Sequence, residues 1–200
     1  MAGGSWDDVY QRNVAPWDIG RPQPAIVRVA DAGDLAEPVL DSGCGSGEHA
    51  LLAATMGLEA TGVDISQTAI EHARAKARAR GLLADFLVGD VLDLENVERL
   101  RPPFRTIIDA GCFHTFANAD RPVYAASLAA VTEPGGLLHL LCFSESTPGD
   151  VGPRRVTQAE IRQVFSRDWI VDRIEADVFS VNAHWQGPEP YAWIARIVRR

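Results

Sequence analysis

At 200 residues with 46% hydrophobic content, the chain has the size and apolar supply of one domain with a real core. Its formal net charge of −8 argues against a nucleic-acid partner, because phosphate-tracking proteins carry an excess of Lys and Arg on the binding face. Cys44, Cys112 and Cys142 form no CxxC pair, the start MAGGSWDDVYQRN is unlike a signal peptide, and no run approaches the ~20 apolar residues of a membrane span. A cytoplasmic protein with reduced thiols and no membrane segment is the expectation.

Residues 1–36 are rich in Pro, Gly and aromatics, lie outside any strand-helix alternation, and read as a helical or loop cap. From Pro38 onward, short apolar β-rich runs alternate with helical patterns, the mark of βαβ units and an α/β fold. The predicted strands are Pro38–Ser42, Glu59–Asp64, Asp85–Gly89, Thr106–Ala110 and Leu137–Phe143, with two more near Arg173–Asn182 and Tyr191–Arg199. Helices are predicted over Glu48–Met56, closed by Gly57, and over Thr68–Arg80, closed by Gly81. A third runs from an Asp120 cap to about Thr132, where Glu-Pro-Gly-Gly stops it; Thr157 and Glu160 form a capping box for a fourth over Gln158–Phe165. Between Asn182 and Pro190 there is less than the dozen or so residues that a parallel crossover needs, so the last two strands are predicted to form an antiparallel hairpin.

The motif that carries chemistry is Val39-Leu40-Asp41-Ser42-Gly43-Cys44-Gly45-Ser46-Gly47, a strand ending in an acid and then a turn with Gly at every second position before a helix. Glycine lets backbone approach a ligand, and the helix start offers unpaired N–H groups to an anionic end. Gly45-Ser46-Gly47-Glu48-His49-Ala50 also satisfies the loose GxGxx(G/A) pattern of nicotinamide-dinucleotide enzymes, with Asp64 near their ribose-binding distance, so the loop alone leaves both ligands open. Asp41, Asp64, Asp90 and Asp109 each end a predicted strand, which puts a ring of acids at the carboxyl edge of the sheet, where open α/β folds bind ligands.

The series Asp41-x-Gly-x-Gly-x-Gly, Val63-Asp64-Ile65, Gly89-Asp90 and Asp109 resembles the class I S-adenosylmethionine (SAM)-dependent methyltransferases over roughly residues 37–200. The resemblance implies a single Rossmann-like domain over 1–200. It consists of a seven-stranded sheet, six parallel and one antiparallel, in a SAM-binding core (37–200), with residues 1–36 capping the cofactor and acceptor site. It further implies that Asp41, Gly43, Gly45 and Gly47 meet the methionyl part of SAM. Asp64 would hold the ribose and Ile65 pack on adenine; Asp90 would accept from the adenine amino group with Val91 alongside, and Asp109 would stand where donor and acceptor meet. S-adenosyl-L-homocysteine (SAH) is the implied product.

Ala15-Pro16-Trp17-Asp18-Ile19-Gly20-Arg21-Pro22-Gln23-Pro24 resembles the cofactor-covering lead-in of the thiopurine-methyltransferase-like group. Gly152-Pro153-Arg154-Arg155-Val156-Thr157 adds a likeness to heterocyclic toxin methyltransferases that act on hydroxyquinolone-type compounds, a detoxifying role. On this reading Trp17 covers SAM and the acceptor is a small aromatic or heterocyclic molecule methylated on O, N or S. His114 is the candidate base or orienter, Asp18 a second catalytic candidate, and Arg21, Phe113, Phe116, Arg154 and Trp185 are candidate acceptor contacts, with Arg155 an alternative to Arg154. No metal is expected, since the carboxylate and Asn cluster of the magnesium-dependent subgroup is not evident. The expected assembly is a monomer or homodimer. Two other readings stand beside this one: a SAM-binding module without turnover, and a nicotinamide-dependent oxidoreductase.

Overall fold

Strand β1 (Val39–Ser42) is buried at every position, as the continuous apolar run of a strand covered on both faces requires. The computed structural model, which describes residues 6–200, builds around it one seven-stranded sheet. The other strands are β2 (Ala60–Asp64), β3 (Asp85–Val88), β4 (Phe104–Ala110), β5 (Thr132–Phe143), β6 (Trp169–Val178) and β7 (Tyr191–Arg199), in spatial order β3-β2-β1-β4-β5-β7-β6. Pairings among the first five are parallel, and β7 runs antiparallel to both β5 and β6. Six strands therefore share one direction, and the closing hairpin is the predicted one.

Successive residues of the central strands feed opposite faces. Leu40, Ile107 and Leu140 join one buried cluster with Tyr124, Phe165 and Trp169; Val39, Ile108 and Leu141 join another with Ile26, Leu51 and Ile70. Helices α5 (Asp120–Ala130) and α6 (Gln158–Val164) supply the first face, and α2 (Pro24–Asp31), α3 (Glu48–Thr55) and α4 (Gln67–Arg80) the second. The chain leaves β1 towards β2 on one side and later returns to β4 on the other. That reversal of strand order falls between β1 and β4, the point at whose carboxyl ends open α/β sheets bind ligands.

Several boundaries differ from the sequence reading, each for a local reason. Ala119, not Asp120, occupies the N-cap of α5, and Asp120 is its first helical residue. Thr132 already belongs to β5: it pairs with Phe104, and the register then jumps so that Thr106 faces Leu137, leaving Glu133-Pro134-Gly135-Gly136 as an excursion from the strand rather than a separator. β6 begins at Trp169, which already pairs with Arg199, and a bulge between Val171 and Arg173 interrupts the alternation by which that start would be read. Val91–Asn96 forms a 3-10 segment that the sequence reading omits. By contrast, Thr157 and Glu160 form the predicted capping box on α6, and Gly81 closes α4 in the left-handed conformation.

The N-terminal segment lies on α4 and on the β6–β7 connection. Helix α1 (Trp6–Gln11) places the Asp7 carboxylate at the start of α4, where it accepts from the Ser66 hydroxyl (2.7 Å) and the Thr68 N–H (2.8 Å). Further on, the Asn182 side chain donates to the carbonyls of Ala15 and Asp18, and Gln23 exchanges hydrogen bonds with Ser180.

Gly62 in β2 shows how tightly this side of the sheet is packed. A Cβ there would stand 2.8 Å from both the Cys44 sulfur and the Phe86 ring, so Gly62→Ala is expected to cost about 1–3 kcal/mol through overpacking. Urea denaturation reads this as a lowered midpoint with an unchanged m-value; an unaltered midpoint contradicts it.

Candidate functional site

The glycine turn after β1 runs through left-handed backbone at Gly43 (φ 70°), Gly45 (φ 51°) and Gly47 (φ 86°). At Gly45 space also matters, because a Cβ would stand 2.3 Å from the Tyr10 hydroxyl. That hydroxyl accepts from Trp17 Nε1 (2.9 Å), and both rings lie edge-on, so the N-terminal segment closes down directly on the turn. At Gly43 a Cβ would meet the Cys112 side chain at 2.6 Å, which joins this turn to the one after β4.

Asp64 Oδ2 accepts from the Gly45 N–H and Oδ1 from the Ser66 N–H, both at 2.8 Å, while burial raises its pKa. Ile65, the next residue, is 58% exposed, an apolar side chain laid open at the strand end. Asp90 is exposed and caps the 3-10 segment by accepting from the Leu92 N–H. Asp41 is buried and accepts from the Ala50 N–H at 3.0 Å; burial, with smaller contributions from Asp109 and Asp64, raises its pKa to about 7. Beside it His49 receives the Gln23 N–H on Nε2, so its Nδ1 carries the proton and points to Asp41 at 3.9 Å. Burial depresses the His49 pKa to about 4, so this contact is polar rather than ionic near neutral pH.

Other sequence expectations are corrected. Asp109 does not face a ligand: it is fully buried and accepts from the N–H groups of Gly111, Cys112 and Phe113 and from the Tyr124 hydroxyl. Burial raises its pKa to about 6 even so. His114 is not available as a base. Its Nδ1 lone pair takes the Phe143 N–H at 2.9 Å, leaving Nε2 as a donor, and burial holds its pKa at about 3. Phe113 is core, wholly buried against Tyr124, Phe165 and Arg121, and Val91 is core as well. Arg154 is paired with Glu160, and Arg155 donates to the carbonyls of Thr147, Pro148, Gly149, Val151 and Pro153, which makes it the organiser of that loop.

The aromatic cluster that does form beside the turn after β4 comprises His114, Phe143 and Phe179, all buried, and the half-buried Trp185, with Phe143 and Trp185 crossing at 5.7 Å. Phe116 stacks half-buried on Tyr124 instead. Asp18 accepts from the Gly20 N–H and stands 3.9 Å from Lys76 of α4, so it belongs to the glycine-turn side and is not joined to His114. Arg21 is exposed. Sequence reasoning missed Tyr10, His49, Lys76, Arg121 and Tyr124. Only the i, i+4 pair Lys76 and Arg80, which clamps Glu48 after the turn, left a legible signal. Among the described residues no group of three or more His, Cys, Asp or Glu could hold a metal ion, and no helix is long and apolar enough to cross a membrane.

Residues 39–136 match the model of the methyltransferase domain family. The chain is 37% identical over 161 residues to the 2-heptyl-1-hydroxyquinolin-4(1H)-one methyltransferase of Mycobacteroides abscessus, a match that spans 80% of this chain and 70% of that protein. It is 29% identical over 166 residues to probable thiol methyltransferase 2 of Arabidopsis thaliana, spanning 82% and 72%. A solved structure described for the conversion of a disulfide bond into a thioacetal group during echinomycin biosynthesis superposes with a TM-score of 0.86 at 35% identity, over 97% of this chain and 91% of that one.

Asp41 gives the site a pH signature. The fold favours its acid form, so that contribution is complete below the ordinary carboxylate pKa and is lost as pH rises through about 7. Asp41→Asn is therefore expected to raise the melting temperature at pH 8, to keep about half of the pH-dependent gain at pH 5.5 and to lose most of it by about pH 4; a gain independent of pH would refute the buried acid.

Proposed function

Because this chain belongs to the class I SAM-dependent methyltransferases, we propose that it moves the methyl group of SAM to O, N or S of a small aromatic or heterocyclic acceptor. The carrying observation is the juxtaposition, on adjacent strand ends, of the left-handed glycine turn, Asp64, the exposed Ile65 and the exposed Asp90. That donor set fits a nucleoside: carboxylate lone pairs for ribose hydroxyls and an adenine amino group, an open aliphatic face for the base, and a helix start for the methionyl carboxylate. Asp41 shapes the turn through Ala50, and Trp17 closes over it through Tyr10.

When bound, SAM supplies an activated sulfonium methyl, so the protein's task is positioning in a dry site more than covalent chemistry. In this reading residues 6–36 cap the cofactor and acceptor site of a single domain, with 37–200 as the SAM-binding core; residues 1–5 of the expected cap lie outside the described residues. Phe143, Phe179 and Trp185, crossed edge to face, form the aromatic side of the acceptor site, and His114 orients the acceptor through Nε2–H rather than taking its proton. Asp18 and Arg21 sit on the cap. The names of the two relatives direct the acceptor search to hydroxyquinolones and thiols. The net charge of −8 goes with a small molecule rather than a nucleic acid, and the three free cysteines with a reducing, cytoplasmic setting; the assembly in this reading is a monomer or homodimer.

Calorimetric titration with SAM and with reduced nicotinamide dinucleotide, followed by SAH release over hydroxyquinolones, thiols and phenols, tests this. SAM binding and release of SAH with one chemotype is the expected result; nicotinamide binding without SAM binding sinks it. Asp64→Ala is expected to weaken SAM at least tenfold while leaving the far-ultraviolet dichroism unchanged, and equal affinity would remove Asp64 from the ribose.

A further inference from the structure

Asn182, in the connection between β6 and β7, ties two segments together at one residue. Its Nδ2 donates to the carbonyls of Ala15 (2.7 Å) and Asp18 (2.8 Å), and its main-chain N–H donates to that of Pro16 (2.9 Å). These carbonyls flank Trp17 in the chain, and Trp17 reaches the glycine turn through the Tyr10 hydroxyl. In the other direction the Asn182 Oδ1 accepts from the His184 N–H (2.8 Å) and its carbonyl from the Trp185 N–H (3.0 Å), which folds the chain into the turn that carries Trp185.

The Trp185 ring then closes the aromatic cluster. It crosses Phe143 at 5.7 Å, its Nε1 donates to the Pro188 carbonyl (2.7 Å), and a Cβ added at Gly152 of the β5–α6 loop would stand 2.5 Å from it. Nearer β6, the Ser180 main chain and the buried Gln23 side chain exchange hydrogen bonds at 2.9 Å, so the strand end is fastened to the cap separately from the turn. An amide suits position 182 because carbonyls use both of its N–H groups and a peptide N–H uses its oxygen. A carboxylate of the same shape would set its lone pairs against two carbonyls.

We propose that Asn182 is a positioning residue that couples the two sides of the site, so that what orders Trp17 at the glycine turn also sets Trp185 in the aromatic cluster. The inference rests on the methyltransferase reading, in which Trp17 covers SAM. A cofactor packed beneath Trp17 fixes the carbonyls of Ala15, Pro16 and Asp18; these hold the Asn182 amide, and the Trp185 turn hangs from that residue. Such coupling is reciprocal: an acceptor seated against Trp185 tightens cofactor binding by the factor by which the cofactor tightens its own.

The test labels the intact chain with 5-fluorotryptophan and reads its five tryptophans, Trp6, Trp17, Trp169, Trp185 and Trp193, by fluorine NMR, each resonance assigned by replacing one Trp with Phe. No acceptor is needed. Saturating SAH is expected to shift Trp17 and Trp185 and to leave Trp169, buried on the opposite face of the sheet, where it was. Asn182→Asp keeps the acceptor for His184 and loses both donors to the cap. It is expected to keep the Trp17 shift and to lose at least half of the Trp185 shift, a split that general loosening would not produce, and Asn182→Ala is expected to do the same. Bound SAH that leaves Trp185 unmoved in the wild type, or a folded Asn182→Asp protein with the full Trp185 response, overturns the proposal; if neither variant folds, the wild-type spectrum decides alone. Failure of the wild type to bind SAM in the calorimetric experiment would instead bring down the methyltransferase reading, whereas bound SAH with a silent Trp185 removes only the role of Asn182.

Discussion

Peptide N–H groups, not cations, satisfy the acids at the ends of the parallel strands, and the shape of the carboxyl edge follows from that. Asp41 takes an N–H from α3, Asp64 one from the glycine turn and one from its own turn, Asp90 one from the 3-10 segment, and Asp109 three from the turn after β4. Each bond fixes the first residues after a strand, so four separate connections are held in register above one edge. A carboxylate kept in place by backbone donors retains lone pairs for a ligand, which a tight ion pair would engage. The cost is charge crowding: Asp41 and Asp109 titrate near 7 and 6, chiefly through burial, with mutual repulsion among the acids adding to the Asp41 shift.

These acids do not share one role. Asp64 stays half-buried and Asp90 exposed, whereas Asp109 turns inward and locks Tyr124 against Ser42. The same strand-end position therefore yields a half-buried carboxylate on β2 and a fully buried, structural one on β4. What separates them is whether the following turn folds back over the carboxylate, as Gly111, Cys112 and Phe113 do over Asp109.

Most of the fold was legible because its signals are local. Capping residues such as Thr157 and Gly81, the apolar run of β1 and the short Asn182–Pro190 connection each depend on a few adjacent residues. The glycine turn and Asp64 were legible for the same reason, since strand, turn and helix start are contiguous. The aromatic cluster after β4 was not, because it is assembled across the sheet. His114 was visible as a titratable residue after β4, but the Phe143 N–H that takes its lone pair lies 29 positions away. Phe113 reads alike as wall or core until α6 is placed beside it, and nothing around Arg121 in sequence announces that its partners stop short. The bulge in β6 and the excursion in β5 hid strand starts because both interrupt the alternation by which a strand is read.

The loop between β5 and α6 is tied through one side chain, the Arg155 fork across five carbonyls. A loop fastened at its centre can exchange residues around its rim without disturbing any ladder of the sheet, so the surface beside the turn after β4 can change while the glycine turn stays fixed. It also concentrates vulnerability, because losing that single anchor frees every carbonyl it gathers at once. Diversification on this scaffold is therefore cheap at the rim and barred at the hub.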